Sequence, residues 1–222
     1  MRTKILLGLA VLAVSASTLV AQVYSLNIVG YVNQAVPAGS AAAPSFVLIG
    51  NPLKASPDNT VGTVLAGQLP ATSSLLSWDG STFLENVYSG GGAAGWDVPD
   101  AVIAPGTGFF IKNPTTTAAT ITFVGEVLAG LQTNSMTTAF SLVSSKVPVA
   151  GDLFADAHLN FTNMVANDSL LTWDGSTYIE NVYAGGGAPG WDSPPVVTVG
   201  QGFFLKQAGA VHTVNWITIG FP

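Results

Sequence analysis

The chain of 222 residues has no cysteine and few charges, since only 8% of its residues are Asp, Glu, Lys or Arg. Without cysteine, neither disulfide bonds nor thiolate metal sites can hold the fold, so its stability must come from a packed core. Beyond residue 21 there is no arginine, and four lysines stand against twelve carboxylates, a net charge of −8. Because proteins bind nucleic acid by neutralising phosphates with Lys and Arg, we expect no nucleic-acid partner.

Long hydrophobic runs are confined to the N-terminal segment. Arg2 and Lys4 precede an apolar stretch at 5–14, and small residues follow up to Ala21. This pattern is typical of a secretory signal that is cleaved after residue 21. A membrane anchor would need about 20 strongly apolar residues, which the hydroxyl residues at 15–18 interrupt. We therefore expect a secreted protein with no membrane insertion after cleavage.

The strongest positive feature is an internal repeat with a period of 95 residues. Residues 74–97 (SLLSWDGSTFLENVYSGGGAAGWD) return as 169–192 (SLLTWDGSTYIENVYAGGGAPGWD), with 19 of 24 positions identical. A period of this length suits a small β domain better than a solenoid. The sequence therefore predicts four regions: a signal at 1–21, an N-terminal strand and linker at 22–45, a first repeat at 46–130 and a second repeat at 131–222.

Both repeats alternate short runs of Val, Ile, Thr, Phe and Trp with clusters of Gly, Pro, Asn and Asp, the pattern of antiparallel β structure. We predict an all-β fold of two homologous antiparallel modules in tandem, sandwich-like or barrel-like, related by pseudo-symmetry. The predicted strands are 46–49, 75–78, 82–87, 108–112 and 120–128 in the first repeat, and 140–143, 170–173, 177–182, 202–206 and 211–219 in the second. Residues 61–68 and 151–158 are each predicted to form a helical turn.

An Asp-Gly pair in each repeat predicts a tight hairpin. Asp79-Gly80 suits the two φ > 0 positions of a type I′ turn, and a two-residue loop would pair Leu76 with Phe83. Because side chains alternate along a strand, Trp78 is then expected on the same face as these two residues. The second repeat predicts the same arrangement for Leu171, Trp173 and Tyr178.

A weaker sequence similarity at the same 95-residue offset relates the two ends of the chain. Ile28-Val29-Gly30 matches Phe123-Val124-Gly125, and Thr218-Ile219-Gly220 lies another 95 residues on. We therefore expect the repeat to begin with this strand, and the last strand to open a third, incomplete copy. The two terminal strands then pair with each other, pair with another molecule or remain exposed edges. The predicted assembly strands carry Leu26, Ile28, Val29, Tyr31, Val32, Ile217 and Ile219.

Three motifs of the first repeat resemble a known bacterial module. Phe46-Val-Leu-Ile-Gly-Asn-Pro-Leu53, Trp78-Asp-Gly-Ser-Thr-Phe83 and Pro105-Gly-Thr-Gly-Phe-Phe-Ile-Lys112 are similar to the pattern LIGNP … WDGxxY … PGxGFFV. That pattern is found in uncharacterised families of secreted and surface proteins of Gram-negative bacteria. The resemblance implies a β-rich fold and an extracellular or cell-surface location, and it carries no catalytic residue. The second repeat departs at Val143-Ser-Ser-Lys-Val-Pro148, which replaces the first motif.

Trp96 and Trp191 are candidate ligand-binding residues because each follows a glycine-rich loop. An exposed indole ring can stack on a sugar, and neighbouring polar groups can bind its hydroxyls. The candidate sets are Trp96, Asp97 and Asn86 in the first repeat and Trp191, Asp192 and Asn181 in the second. The alternative is that such rings fill the core. We favour the core for Trp78 and Trp173 and leave both interpretations open for the other two.

Other chemistry-bearing residues form weaker patterns. Glu85 and Glu180 recur in both repeats and could form a glycosidase pair, although carboxylates that accept hydrogen bonds at the end of a hairpin explain them as well. Calcium could be bound by two aspartate pairs that supply hard oxygens, Asp97 with Asp100 and Asp152 with Asp156. Turn-capping is the commoner role of such aspartates. His158 and His212 lack a second ligand at zinc spacing, so we expect no metal site and no cofactor.

The leading functional hypothesis is a non-catalytic structural or adhesive protein of the cell surface or extracellular matrix. Residues 23–36 of one subunit would add to an open edge beside residues 211–219 of the next, giving a homo-oligomer or a head-to-tail filament. The alternative is a carbohydrate-binding module with two equivalent Trp-lined sites for an extracellular polysaccharide. A glycoside hydrolase is the third hypothesis.

Overall fold

The computed structural model describes residues 28–153, 159–185 and 190–220. It confirms the all-β prediction, because among these residues strands far outnumber the helical turn α1 (Val61–Val64) and the 3₁₀ turn at Gly92–Gly95. The predicted signal and Leu26 lie outside the described residues. The strands are β1 (Val29–Val36), β2 (Ser45–Gly50), β3 (Ser74–Trp78), β4 (Phe83–Val87), β5 (Gly108–Asn113), β6 (Ala119–Glu126), β7 (Leu131–Met136), β8 (Phe140–Ser144), β9 (Gly151–Asp152), β10 (Leu159–Thr162), β11 (Ser169–Trp173), β12 (Tyr178–Val182), β13 (Val196–Val197), β14 (Gly202–Lys206) and β15 (Val214–Ile219).

Each repeat is a sandwich of two open antiparallel sheets. In the first, a four-stranded sheet (order β2-β5-β3-β4) packs on a two-stranded sheet (β1-β6). In the second, a four-stranded sheet (β8-β14-β11-β12) packs on a three-stranded sheet (β10-β15-β7), and β9 pairs with β13. No sheet of the described residues closes into a barrel. We call β1-β6 and β10-β15-β7 the outer sheets.

The core of each repeat lies between its outer sheet and its four-stranded sheet. Phe109 of β5 and Phe123 of β6 are fully buried, with ring centroids 6.5 Å apart. In the core of the second repeat, Phe203 of β14 packs on Trp216 of β15, with ring centroids 5.0 Å apart. Val32 and other β1 residues fill the first core, so the N-terminal strand is an integral part of the first repeat.

The opposite faces of the two four-stranded sheets pack against each other. Trp78 donates its indole N–H to the carbonyl of Phe140 at 3.1 Å, and Trp173 donates to the carbonyl of Phe46 at 3.0 Å. These contacts are reciprocal, because donors and acceptors in one repeat match those in the other, 94 or 95 residues along the chain. Trp78 and Trp173 are half-buried and pack against a buried cluster of Leu48, Phe110 and Phe204. This cluster lies between the two repeats and not within either one.

The hairpin register differs from the prediction by two residues. Leu76 lies opposite Glu85, and Trp78 lies opposite Phe83, so the loop has four residues rather than two. The Asp79 carboxylate accepts the backbone N–H and the hydroxyl of both residues 81 and 82, which stabilises the wider loop. A shift of two preserves the alternation of faces. Trp78 and Phe83 therefore still share a face, with ring centroids 5.0 Å apart.

The terminal strands pair within their own repeats. β1 pairs with β6 along its whole length, and β15 lies between β7 and β10. The prediction of an open edge beside residues 211–219 is therefore wrong, because both sides of β15 are occupied. The helical turn predicted at 151–158 is also wrong where the chain is described, since residues 151–152 form β9.

Candidate functional site

The two tryptophans proposed as stacking platforms are buried. Trp96 is 3% exposed and packs on Tyr88, with ring centroids 5.0 Å apart. Trp191 is 6% exposed and packs on Tyr183 at 5.4 Å. In each repeat the Tyr and the Trp, which flank the glycine-rich segment in sequence, form an antiparallel β bridge with each other. Stacking on a sugar requires an exposed ring face, so these rings are not the platforms that the sequence suggested.

The polar partners of these tryptophans are engaged by their own loops. The Asn86 side chain donates to the carbonyl of Val98 at 2.8 Å and accepts the N–H of Val98 at 3.0 Å. In the second repeat, Asn181 donates to the carbonyl of Ser193, and Asp192 accepts the N–H of residues 182 and 193. Asp97 donates its backbone N–H to Val87, and its side chain is exposed. The side chains of Asn86, Asn181 and Asp192 thus anchor their own loops.

The repeated glutamates are ion-paired. Glu85 accepts the Ser74 hydroxyl at 2.6 Å and pairs with Lys112 at 3.0 Å. Glu180 has the same partners in the second repeat, namely Ser169 and Lys206. The serine hydrogen bond, and then the lysine, lower the pKa of each carboxyl. A glycosidase acid needs a raised pKa, so this environment gives acid catalysis no support.

The described residues hold no group of three or more His, Cys, Asp or Glu side chains close enough to bind a metal ion. Asp156 and His158 lie outside the described residues, so calcium binding beside Asp152 stays a prediction. Nor does any described helix have the length and apolar character needed to cross a membrane.

A His–Asp pair that the sequence did not suggest lies in the second repeat. His212 Nε2 is 3.1 Å from the fully buried Asp168, whose carboxylate also accepts the N–H of Val165 and Ala208. The Ala210 carbonyl, and then Asp168, raise the pKa of His212. No nucleophile is among these contacts, so the pair fastens the 208–212 loop to the start of β11.

An aromatic cleft of about 250 Å³ opens between the two repeats. At its rim Phe83 and Tyr178, equivalent residues of the two hairpins, are each 41% exposed. Burial raises the pKa of the Tyr178 hydroxyl. The cleft is lined by Phe46, Leu76, Phe83 and Phe110 from the first repeat and by Trp173 and Tyr178 from the second. Sequence alternation placed several of these side chains on one face but gave no sign that two such faces meet.

The outer sheets present a second surface, on the side away from the cores. Tyr31 of β1 lies opposite Val124 of β6, and Leu131 of β7 lies opposite Ile219 of β15. All four side chains are exposed, Tyr31 at 72% and Leu131 at 66%. We call them the two outer apolar pairs. Of the other predicted assembly residues, Ile28 and Val29 are exposed, Ile217 is half-buried and Val32 is buried.

Comparison with protein-family models, with curated proteins and with solved structures finds no match.

Proposed function

We propose that this chain is a secreted, non-catalytic structural or adhesive protein of a Gram-negative cell surface or extracellular matrix, and that it associates with other molecules of itself. The observation that carries the proposal is the presence of one outer apolar pair in each repeat. Contiguous apolar patches larger than a few hundred Å² are rare on soluble monomers and commonly mark binding surfaces. Two equivalent adhesive positions on one molecule allow it to link two neighbours, which is the requirement for a polymer.

The composition of the outer sheets supports association rather than solvation. Around the apolar pairs the outward side chains are mainly hydroxyls and amides, such as Asn33 with Thr122 and Ser135 with Asn215, which hydrogen-bond each other across the strands. Charged groups are sparse there, Glu126 with its partner Lys54 being one ion pair at the edge. Burying such a surface has a small desolvation free energy, because it carries few charged groups.

The functional test is whether the exported protein assembles and whether the outer apolar pairs are responsible. The protein purified after export should form large species in light scattering and negative-stain microscopy. Leu131→Ser combined with Ile219→Ser should abolish growth beyond a small oligomer. The matched control is Leu84→Ser combined with Ile179→Ser, because those side chains are similarly exposed but lie on the four-stranded sheets. Equal loss in both double variants would contradict the proposal.

A second candidate function is carbohydrate binding at the aromatic cleft. The supporting observation is that partly exposed Phe83 and Tyr178 stand beside Trp173, with the Ser74–Glu85–Lys112 group on the same face of the sheet as Phe83. Aromatic faces with nearby fixed polar groups are the usual elements of a sugar site. Titration of neutral and acidic polysaccharides against wild type and Tyr178→Ala tests it. Binding that Tyr178→Ala leaves unchanged would exclude the cleft.

A further inference from the structure

Three of the four strand edges of the outer sheets are blocked or short. At β6, the Gln68 side-chain amide accepts the N–H of Thr122 at 2.6 Å and donates to its carbonyl at 3.3 Å. Further along the same edge, Lys54 and Glu126 exchange both backbone hydrogen bonds at 2.9 Å. At β7, the Lys146 ammonium binds the carbonyl of Thr133 at 2.7 Å. β10 has only four residues. Charged side chains and short strands are the common protections of an edge.

The outer edge of β1 has neither protection. This strand has eight residues, VGYVNQAV, and none is charged. Its pairing with β6 fixes which backbone groups face outward. Glu126 and Thr122 direct their N–H and C=O away from β1, towards Lys54 and Gln68. In an antiparallel ladder alternate residue pairs exchange hydrogen bonds, so the residues opposite them on β1 also direct these groups away from β6.

Val29 lies opposite Glu126 and Asn33 lies opposite Thr122, with Tyr31 between them. The N–H and C=O of these three residues therefore point out of the sheet edge. Within the described ranges, 28–153, 159–185 and 190–220, they have no hydrogen-bond partner. This edge is a template for one more strand, with the exposed side chains of Val29 and Tyr31 beside it.

We propose that the β1 edge pairs antiparallel with the β1 edge of a second molecule, giving a continuous four-stranded sheet in the order β6-β1-β1-β6. The inference rests on the proposed function, for which it names one contact between molecules. A twofold axis perpendicular to the sheet brings identical edges together and keeps Val29 and Tyr31 of both molecules on the same outer face. An uncharged strand is suited to this contact because like charges do not meet across the axis.

A contact of this kind is isologous and closes after two molecules. The dimer then carries the Leu131–Ile219 pair of each molecule at positions that the β1 contact does not use. A polymer would thus be built from dimers, through two different surfaces. The β1 contact is the pairing step, and the outer apolar pair of the second repeat is the growth step.

The first test removes the outward backbone N–H of Asn33 without disturbing the pairing of β1 with β6. Asn33→Pro removes that N–H and places a ring in the path of an incoming strand, and proline is tolerated at edge positions whose N–H does not face the neighbouring strand. Asn33→Ala is the matched control, because it loses the side-chain bond to Thr122 but keeps the backbone donor. In sedimentation equilibrium of the exported protein, Asn33→Pro should weaken dimerisation at least tenfold, and Asn33→Ala should leave it within about twofold.

The second test uses the absence of cysteine from the chain. With Tyr31, the middle of the three outward residues, at the twofold axis, Tyr31→Cys should form a disulfide-linked dimer on mild oxidation, since directly opposed strand residues lie within disulfide range. Asn33→Cys then lies opposite Val29 of the second molecule and should cross-link much less. Ser40→Cys, in the loop after β1, should not cross-link. Circular dichroism confirms that each variant is folded.

The outcomes separate the two proposals. A wild-type monomer at every concentration, or a dimer unaffected by Asn33→Pro and not cross-linked through β1, overturns the β1 contact. Polymers that Leu131→Ser with Ile219→Ser reduces to dimers support both proposals. Polymers that persist in Asn33→Pro but require Leu131 and Ile219 overturn the β1 contact alone.

Discussion

The contact between the two repeats yields a quantitative prediction at Phe204. Its ring contacts four others: Trp78 at 5.5 Å and Phe83 at 6.1 Å from the first repeat, and Tyr178 at 6.0 Å and Phe140 at 6.5 Å from the second. Aromatic pairs contribute about 0.5–1.5 kcal/mol beyond their buried area. The two pairs that cross between repeats are therefore expected to contribute roughly 1–3 kcal/mol in total.

A double-mutant cycle isolates one of these cross-repeat terms. Phe204→Leu and Trp78→Leu each remove a ring and keep an apolar side chain, which limits the damage to the fold. We expect a coupling free energy of about 0.5–1.5 kcal/mol between them, measured by urea unfolding followed by far-ultraviolet circular dichroism.

The matched control cycle uses Phe203→Leu with Trp78→Leu. Phe203 is next to Phe204 on β14 but points into the core of the second repeat, away from Trp78. Residues without shared contacts are additive within about 0.3–0.5 kcal/mol. A Phe204–Trp78 coupling no larger than the control would refute the packing of the two sheets through this aromatic layer.

Three further predictions concern single side chains. The pKa of His212 is raised by the carbonyl of Ala210 and by Asp168. Protonated His212 therefore stabilises the folded protein fully below the unfolded pKa of about 6.5, and this stabilisation is lost as the pH rises through the folded pKa. His212→Gln should flatten this slope in unfolding curves from pH 5.5 to 8.5, and an unchanged slope would contradict the assignment. The pKa of Asp79 is lowered to about 2, chiefly by backbone N–H groups of its own turn, so its stabilisation is lost as the pH falls from 3.8 towards that value. Asp79→Asn should therefore weaken the acid dependence of unfolding, and a curve parallel to wild type would argue against it. Gln68→Ala should destabilise the protein by about 1–3 kcal/mol, because the backbone N–H and C=O of Thr122 both lose their partner. Gln68→Ala should also increase aggregation, because it exposes the backbone of the β6 edge. Solubility equal to that of wild type would show that Gln68 does not block strand pairing at this edge.

Most strands could be predicted because their composition was decisive. Runs such as Phe46–Ile49 and Gly202–Lys206 combine β-branched or aromatic residues with flanking turn residues, and both are strands in the structure. β7 (LQTNSM) and β10 (LNFT) were missed because their polar residues conceal the alternation. The predicted hairpin register was wrong because the Asp79 carboxylate accepts hydrogen bonds from the loop and so stabilises four loop residues instead of two. The Asp-Gly pair alone is compatible with either loop length.

The candidate site was harder to predict than the fold. A glycine-rich loop before Trp96 suggested exposure, but the bridge between Tyr88 and Trp96 turns the ring inward. The aromatic cleft needs residues from both repeats, and a sequence does not state how two repeats dock. The edge of β1 could be ranked as open only after Gln68 and Lys146 were located at the other edges.

The place where the repeats meet has a consequence for how such a molecule can be built. Gly50 and Ser144 are equivalent residues, opposite Gly108 and Gly202, and they touch each other. A Cβ atom added to Gly50 would overlap the Ser144 side chain. Two unlinked first repeats would meet glycine to glycine and leave a gap, and two unlinked second repeats would meet serine to serine and collide. Because both repeats belong to one polypeptide, Gly50 of the first repeat always packs against Ser144 of the second. The covalent link thus enforces the pairing of a first repeat with a second repeat, which separate repeats would form only in competition with like pairs.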